Sequence, residues 1–148
     1  MNEEIIRELL ARVKALEQQI ERTRVIENQI AVQGYVTTTD ATTTTVATVP
    51  IPASTTVLLE IYVVARRTGG SAGSAEDGAG YLTQALFKNV AGVATQIGLG
   101  NLDYSAESQI AWNSSFAVSG GNVNVTVTGA VNNNISWYCC VKAYEISS

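Results

Sequence analysis

Charge divides this chain of 148 residues into two segments that obey different rules. Five of its nine basic residues (Arg7, Arg12, Lys14, Arg22, Arg24) lie in the first thirty positions, with six acids: Glu3, Glu4, Glu8, Glu17, Glu21 and Glu27. That stretch has no Gly or Pro and consists largely of strong helix formers. Asn2 is placed to cap a helix, Glu3 and Glu4 suit the positive end of its dipole, and Gly34 offers a stop. Beyond Gly34 the chain turns to Thr, Val, Ala, Gly, Ser and Asn. Within the charged segment apolar residues recur every seven positions. Ile6, Val13 and Ile20 take a, and Leu9, Leu16 and Ile30 take d, while Thr23 at d and Glu27 at a weaken the seam. A helix docked on its own domain shows a wider stripe. Strict 3.5-residue spacing predicts a coiled coil, and at 1.5 Å per residue the stalk is ~45 Å long.

β-branched residues at a with Leu at d favour two strands on the general rule. Ile5 at g and Leu10 at e widen the apolar face, which a dimer leaves partly wet. The run Arg12-Val13-Lys14-Ala15-Leu16-Glu17 also resembles the short trimerisation motif of three-stranded coiled coils. There Arg12 lays its aliphatic stem over the core and forks onto Glu17 of the neighbouring helix. The expectation is a homotrimer formed through Ile6, Leu9, Arg12, Val13, Leu16, Glu17 and Ile20. Residues 1–33 are expected to be this stalk and residues 34–148 a head.

The head is expected to be an antiparallel β-sandwich, jelly-roll-like, which makes the chain mainly β. Valines alternate with polar residues from Asn122 to Thr128, and alternation recurs at Ile110, Trp112, Phe116 and Val118 and from Ile135 to Ala143. Turn signals separate the runs: Asn89 to Gly92, Gly120-Gly121 and Asn132-Asn133-Asn134. Further strands are expected near 35–38, 43–49, 56–66, 80–88 and 93–98, about eight in all. Val57 to Ala65 is apolar on both faces, and the last strand carries Tyr138, Cys140, Tyr144 and Ile146 on its second face. Such second faces are central between layers or serve as subunit contacts.

Little in the sequence points to catalysis. There is no histidine, which removes the commonest general base, zinc ligand and partner of a nucleophile. Lys88 and Lys142 fall in expected strands without Ser-x-x-Lys spacing, and seven scattered acids remain in the head. Cys139 and Cys140 are adjacent, so in a strand they point to opposite faces and read as free thiols. The Gly/Ala/Ser stretch from Thr68 to Gly80 lacks the Lys-Ser/Thr ending of a phosphate loop and is expected to be long, mobile and exposed. No enzyme activity, cofactor or metal is therefore expected. Candidate ligand-contact residues are Arg66, Arg67, Glu76 and Asp77 around that loop, with one Arg–acid pair, and Tyr104 in a loop of its own. Trp112 and Trp137 are expected in the core. A net charge of −4 and a pI near 4.7 argue against nucleic-acid partners, and no apolar run is long enough for membrane insertion. The alternating charges from residue 3 argue against a secretory signal.

Val46-Ala47-Thr48-Val49-Pro50-Ile51-Pro52-Ala53, a long strand, then Arg66-Arg67-Thr68-Gly69-Gly70 resembles modules of bacteriophage virion proteins. So does Trp112-Asn113 to Phe116-Ala117-Val118-Ser119-Gly120, with a Val-rich strand and Thr128-Gly129-Ala130 after it. The resemblance covers most of residues 43–145 and is one of pattern and composition. It implies a non-enzymatic trimeric fibre or knob on the virion, from a tail fibre, a head fibre or another minor structural protein. Made in the host bacterial cytoplasm, such a protein contacts other virion proteins and, in attachment, a host cell-surface glycan or protein. The alternatives are a non-viral trimeric module, lectin-like or tumour-necrosis-factor-like, and a glycan-cleaving enzyme with sites between subunits.

Overall fold

The computed structural model describes residues 2–27 and 31–148, with side chains for 2–20 and 31–148. Its contacts divide into two units, Met1–Ile30 and Ala31–Ser148. In the first, α1 spans Glu3–Glu27. Asn2 caps it: its side-chain oxygen accepts from the Glu4 N–H at 3.0 Å, and its carbonyl from the Ile6 N–H at 3.3 Å. Ile6, Leu9, Val13, Leu16 and Ile20 stand about half exposed along it. Arg12 reaches Glu8 one turn back, at 3.1 Å; a bridge to Glu17 would join two copies and has no counterpart within one. Ile30 lies outside the described residues, as do the side chains of Thr23 and Glu27. Among the described residues no helix is long and apolar enough to cross a membrane.

The second unit is built from eight strands: β1 (Val32–Thr38), β2 (Thr44–Pro50), β3 (Thr55–Gly69), β4 (Gly78–Val90), β5 (Val93–Glu107), β6 (Asn113–Ser119), β7 (Asn122–Thr128) and β8 (Asn134–Ser147). They form two antiparallel sheets, ordered β1-β8-β3-β4-β5 and β2-β7-β6. The order differs from a jelly roll, whose strands wind through two Greek keys: here β3, β4 and β5 follow one another as a meander within one sheet. The two sheets share one core. Val57, Leu59, Ile61, Val63 and Ala65 of β3 alternate into it, and so do Ile135, Trp137, Cys139 and Val141 of β8 and the three valines of β7. Each large buried side chain contributes roughly 1.5–3 kcal/mol. Phe87 meets Phe116 edge-on with ring centres 5.7 Å apart, and Trp112 lies 5.9 Å from Trp137, so both tryptophans pack inside as expected. The few buried polar groups are mostly partnered. Trp137 Nε1 donates to Thr38 Oγ1 at 2.8 Å, and Asn89 Nδ2 to the Ile51 carbonyl at 2.6 Å. Asn89 Oδ1 also accepts from the Gly92 N–H at 2.9 Å, closing the turn that the sequence marks there.

Three expectations need correction. Gly34 does not end a helix: it lies inside β1, where a side chain would collide with the Val46 carbonyl, so its role is a close strand crossing. Val32 and Gln33, assigned to the stalk, are already in β1 and pair with Val141 and Cys140 of β8. Ile110 does not face the core with Trp112; it sits on a turn, 94% exposed.

Candidate functional site

The three-stranded sheet covers one face of the five-stranded sheet. The other face carries the even-numbered residues of β3, β4 and β8, and register places its tyrosines side by side. Tyr35 stands opposite Tyr138, and Tyr138 opposite Val64. Tyr62 stands opposite Leu82, which stands opposite Tyr104. Val64 faces Gly80, and the missing side chain there opens a groove of about 510 Å³ among Tyr62, Val64, Leu82, Tyr104 and Tyr138. Charge on this face is largely self-contained. Glu60 and Lys142 are opposite one another across β3 and β8; Tyr62 Oη donates to Glu60 Oε2 at 2.9 Å; Lys142 Nζ lies 5.5 Å from the Tyr62 ring centre. The hydrogen bond to Glu60, then desolvation, pushes the Tyr62 hydroxyl above the usual phenol range, so this side chain stays neutral. On the core side of β8, burial pushes the Cys139 thiol up to about 12; Cys140 on the groove side is half-buried.

Tyr104 therefore belongs to a strand and not to a loop. β5 runs to Glu107, well past the expected end near residue 98. It is an edge strand exposed on both faces over most of its length, so no apolar alternation marks it; its hydrogen bonds to β4 define it. Asp103 falls at a bulge between the pairs Leu82–Tyr104 and Thr83–Leu102, and Asn101 donates to its carboxylate.

The other candidates gather around the turn between β3 and β4. Arg66 pairs with Glu76 at 3.8 Å, both well exposed, an ion pair of little worth. Arg67 folds back over the turn, donating from Nε to the Ala72 carbonyl at 2.8 Å and from a terminal nitrogen to the Gly70 carbonyl at 2.6 Å. Asp77 accepts from the Ser74 N–H at 2.8 Å and from Gln109 Nε2 at 2.6 Å. These two bonds, in that order, with Arg67 nearby, hold its carboxyl below the ordinary carboxylate range. Gln109 in turn exchanges hydrogen bonds of 3.3–3.4 Å with buried Asn133, and the Ala72 N–H donates to the Asn132 carbonyl. Gly73, at φ 76°, lets the backbone approach Gln109 and Asn133 where a side chain would collide. The turn expected to be mobile is thus tied down by residues some 30 to 60 positions away. The structure brings Arg67 and Asp77 into one clasp with Gln109 and Asn133, which sequence reasoning missed, and separates Tyr104 from them. Gly80 and Leu82 of the groove were missed as well; the second apolar face of Val57 to Ala65 and the alternating Tyr138, Cys140 and Tyr144 were the legible signs of it. Among the described residues no cluster of three or more His, Cys, Asp or Glu is arranged to hold a metal ion.

Neither a protein-family model nor a curated protein matches the sequence. Among solved structures the chain is similar to the tailspike protein of Acinetobacter baumannii phage AM24, with a TM-score of 0.51 at 8% identity over 82% of this chain and 27% of that one. It also matches tailspike gp49 of Acinetobacter baumannii bacteriophage Fri1, described as a capsular polysaccharide depolymerase, at a TM-score of 0.36 and 10% identity over 74% of this chain and 17% of that one. A third match, the tailspike of Acinetobacter phage vB_ApiP_P1, has a TM-score of 0.39 and 14% identity over 77% and 22%. The chain thus spans about a quarter or less of the length of each. The AM24 likeness is one of fold, over 82% of this chain, whose own elements are one N-terminal helix and a mainly β, antiparallel unit. The expectation of a non-enzymatic protein is corrected here, because the matched proteins include one described as a depolymerase. That expectation rested on missing histidine and catalytic spacing within one chain, and carboxylates brought together between subunits require neither.

Proposed function

We propose that this chain acts in a phage tail fibre or tailspike, where α1 joins three copies and the β domain serves attachment to the host surface. The fold shared with part of the AM24 tailspike carries this reading. The apolar stripe of α1 supports it: Ile6, Leu9, Val13, Leu16 and Ile20 keep strict heptad spacing and are about half exposed in one chain, as a helix awaiting other copies requires. The partners are further copies of the chain, neighbouring virion proteins, and a glycan or protein on the host cell. The test is adsorption of fluorescently labelled chain to encapsulated cells of the phage's host, before and after the capsule is stripped. Saturable binding that falls on stripping is expected, and absence of adsorption by correctly assembled protein would overturn the attachment role. A reducing-end assay on purified capsule, run in parallel, separates binding from cleavage.

A further inference from the structure

The outer face of the five-stranded sheet is too large and too apolar to stay wet. At least nine large apolar side chains project from it, each 37–77% exposed, among them Tyr35, Tyr62, Val64, Tyr104, Tyr138 and Tyr144. At roughly 200 Å² per side chain and about half exposed, they present on the order of 900 Å². The largest apolar patch of a typical monomer is roughly 300–600 Å². A standard stable interface takes about 800 Å² from each partner.

We propose that this face packs against another copy of the same chain, so that the β domains and not the helix alone hold the assembly; this rests on the self-association read for α1. Charge selects the occupant. Glu60 and Lys142 oppose one another on neighbouring strands, Tyr62 binds Glu60, and Lys142 stands over the Tyr62 ring. The centre of the face is therefore close to neutral, and a like face meets no like-charge penalty there, whereas a strongly charged partner finds no complement. A glycan would need several converging donors and acceptors; Val64, Gly80 and Leu82 supply none from their side chains, and of the groove's outward tyrosines Tyr62 already gives its hydroxyl to Glu60, which leaves those of Tyr104 and Tyr138. Helices that gather copies also raise the local concentration of the faces to the millimolar range, where an apolar contact of modest affinity is filled.

Cys140 reports on this directly. It lies on the outer face, opposite Gln33 on one side and Tyr62 on the other, and is half-buried in one chain, while Cys139 is fully buried on the core side. Thiol labelling of the intact native chain, with mass by light scattering, is the test. The expected result is an assembled species in which Cys140 labels at least about tenfold more slowly than in Val64→Glu, because labelling is limited to the open fraction. Val64 is 59% exposed, so the glutamate is accommodated in a single chain; if that variant fails to fold, Tyr35→Glu, at a 68% exposed edge position, takes its place. An assembled wild type whose Cys140 reacts as fast as in Val64→Glu overturns the proposal and leaves self-association through α1 standing. A wild type that is monomeric overturns both. Equal protection of Cys140 in wild type and a folded, monomeric Val64→Glu also overturns it, since the protection then comes from the single chain.

Discussion

Replacing Thr38 by Val isolates one buried hydrogen bond and gives it a magnitude. Thr38 closes β1, 5% exposed, and its Oγ1 accepts from Nε1 of fully buried Trp137 in β8 at 2.8 Å. Valine keeps the shape of threonine and removes the acceptor, stranding an indole N–H in a dry core. The cost of leaving such a donor unsatisfied is about 1–3 kcal/mol. Thr38→Ser keeps the acceptor and loses only a methyl group, about 0.8 kcal/mol. In a Trp137→Phe background the donor is gone, so Thr38→Val there becomes nearly neutral, a coupling of about 1–3 kcal/mol. Urea unfolding followed by circular dichroism at one fixed protein concentration reads these differences, since assembly makes stability concentration-dependent. The thermal midpoint should fall by about 3–6 °C per kcal/mol for a unit of this size. Two results would refute the reasoning: Thr38→Val unfolding with the wild type, or costing as much in the Trp137→Phe background as alone. Either would mean that the bond adds nothing to the β1–β8 seam.

Val13→Asp with Leu16→Asp places two charges in the expected seam of α1 and should reduce the mass seen by light scattering from three copies of 15.7 kDa toward fewer; an unchanged mass would remove α1 as the source of assembly. The folded-state pKa of Asp77 is depressed below its ordinary 3.8, so its contribution to the clasp is present above that value and is lost as pH falls through the folded pKa. Hydrogen exchange at the Ser74 amide should therefore accelerate in acid beyond its intrinsic pH dependence, and Asp77→Asn should remove that extra term. Gly34→Val should destabilise by about 1–3 kcal/mol or more, because its side chain runs into the Val46 carbonyl; denaturant midpoints measure it, and a midpoint equal to wild type would show that β2 yields freely.

The strands whose one face is buried were legible. β7 and β8 alternate between core and surface as their valines, tryptophan and cysteines indicated. Where burial does not alternate, the pattern misled or fell silent. Ile110 continues the apparent period of Trp112, Phe116 and Val118 but belongs to a turn, and β5 past residue 98 has no buried face to mark it. The β3–β4 turn reads locally as a flexible run of small residues, yet Gln109 and Asn133 fasten it. Those two are ordinary surface-type residues in sequence, and only proximity makes them a clasp.

What the sequence by itself determined is periodic: a 3.5-residue repeat that makes α1 a helix with an apolar stripe, and a two-residue repeat that makes the remainder strands with one face inward. Backbone geometry sets both periods within a few residues, so both can be read locally. What only the tertiary structure decided is adjacency. The order β1-β8-β3-β4-β5 is what lines up Tyr138, Val64, Tyr62, Leu82 and Tyr104 into one face and sets Glu60 opposite Lys142. Strand order depends on pairings between residues as far apart as Tyr35 and Tyr138. The gain from such a pairing is weighed against loop closure and the packing of the whole core, quantities that no short stretch of sequence contains.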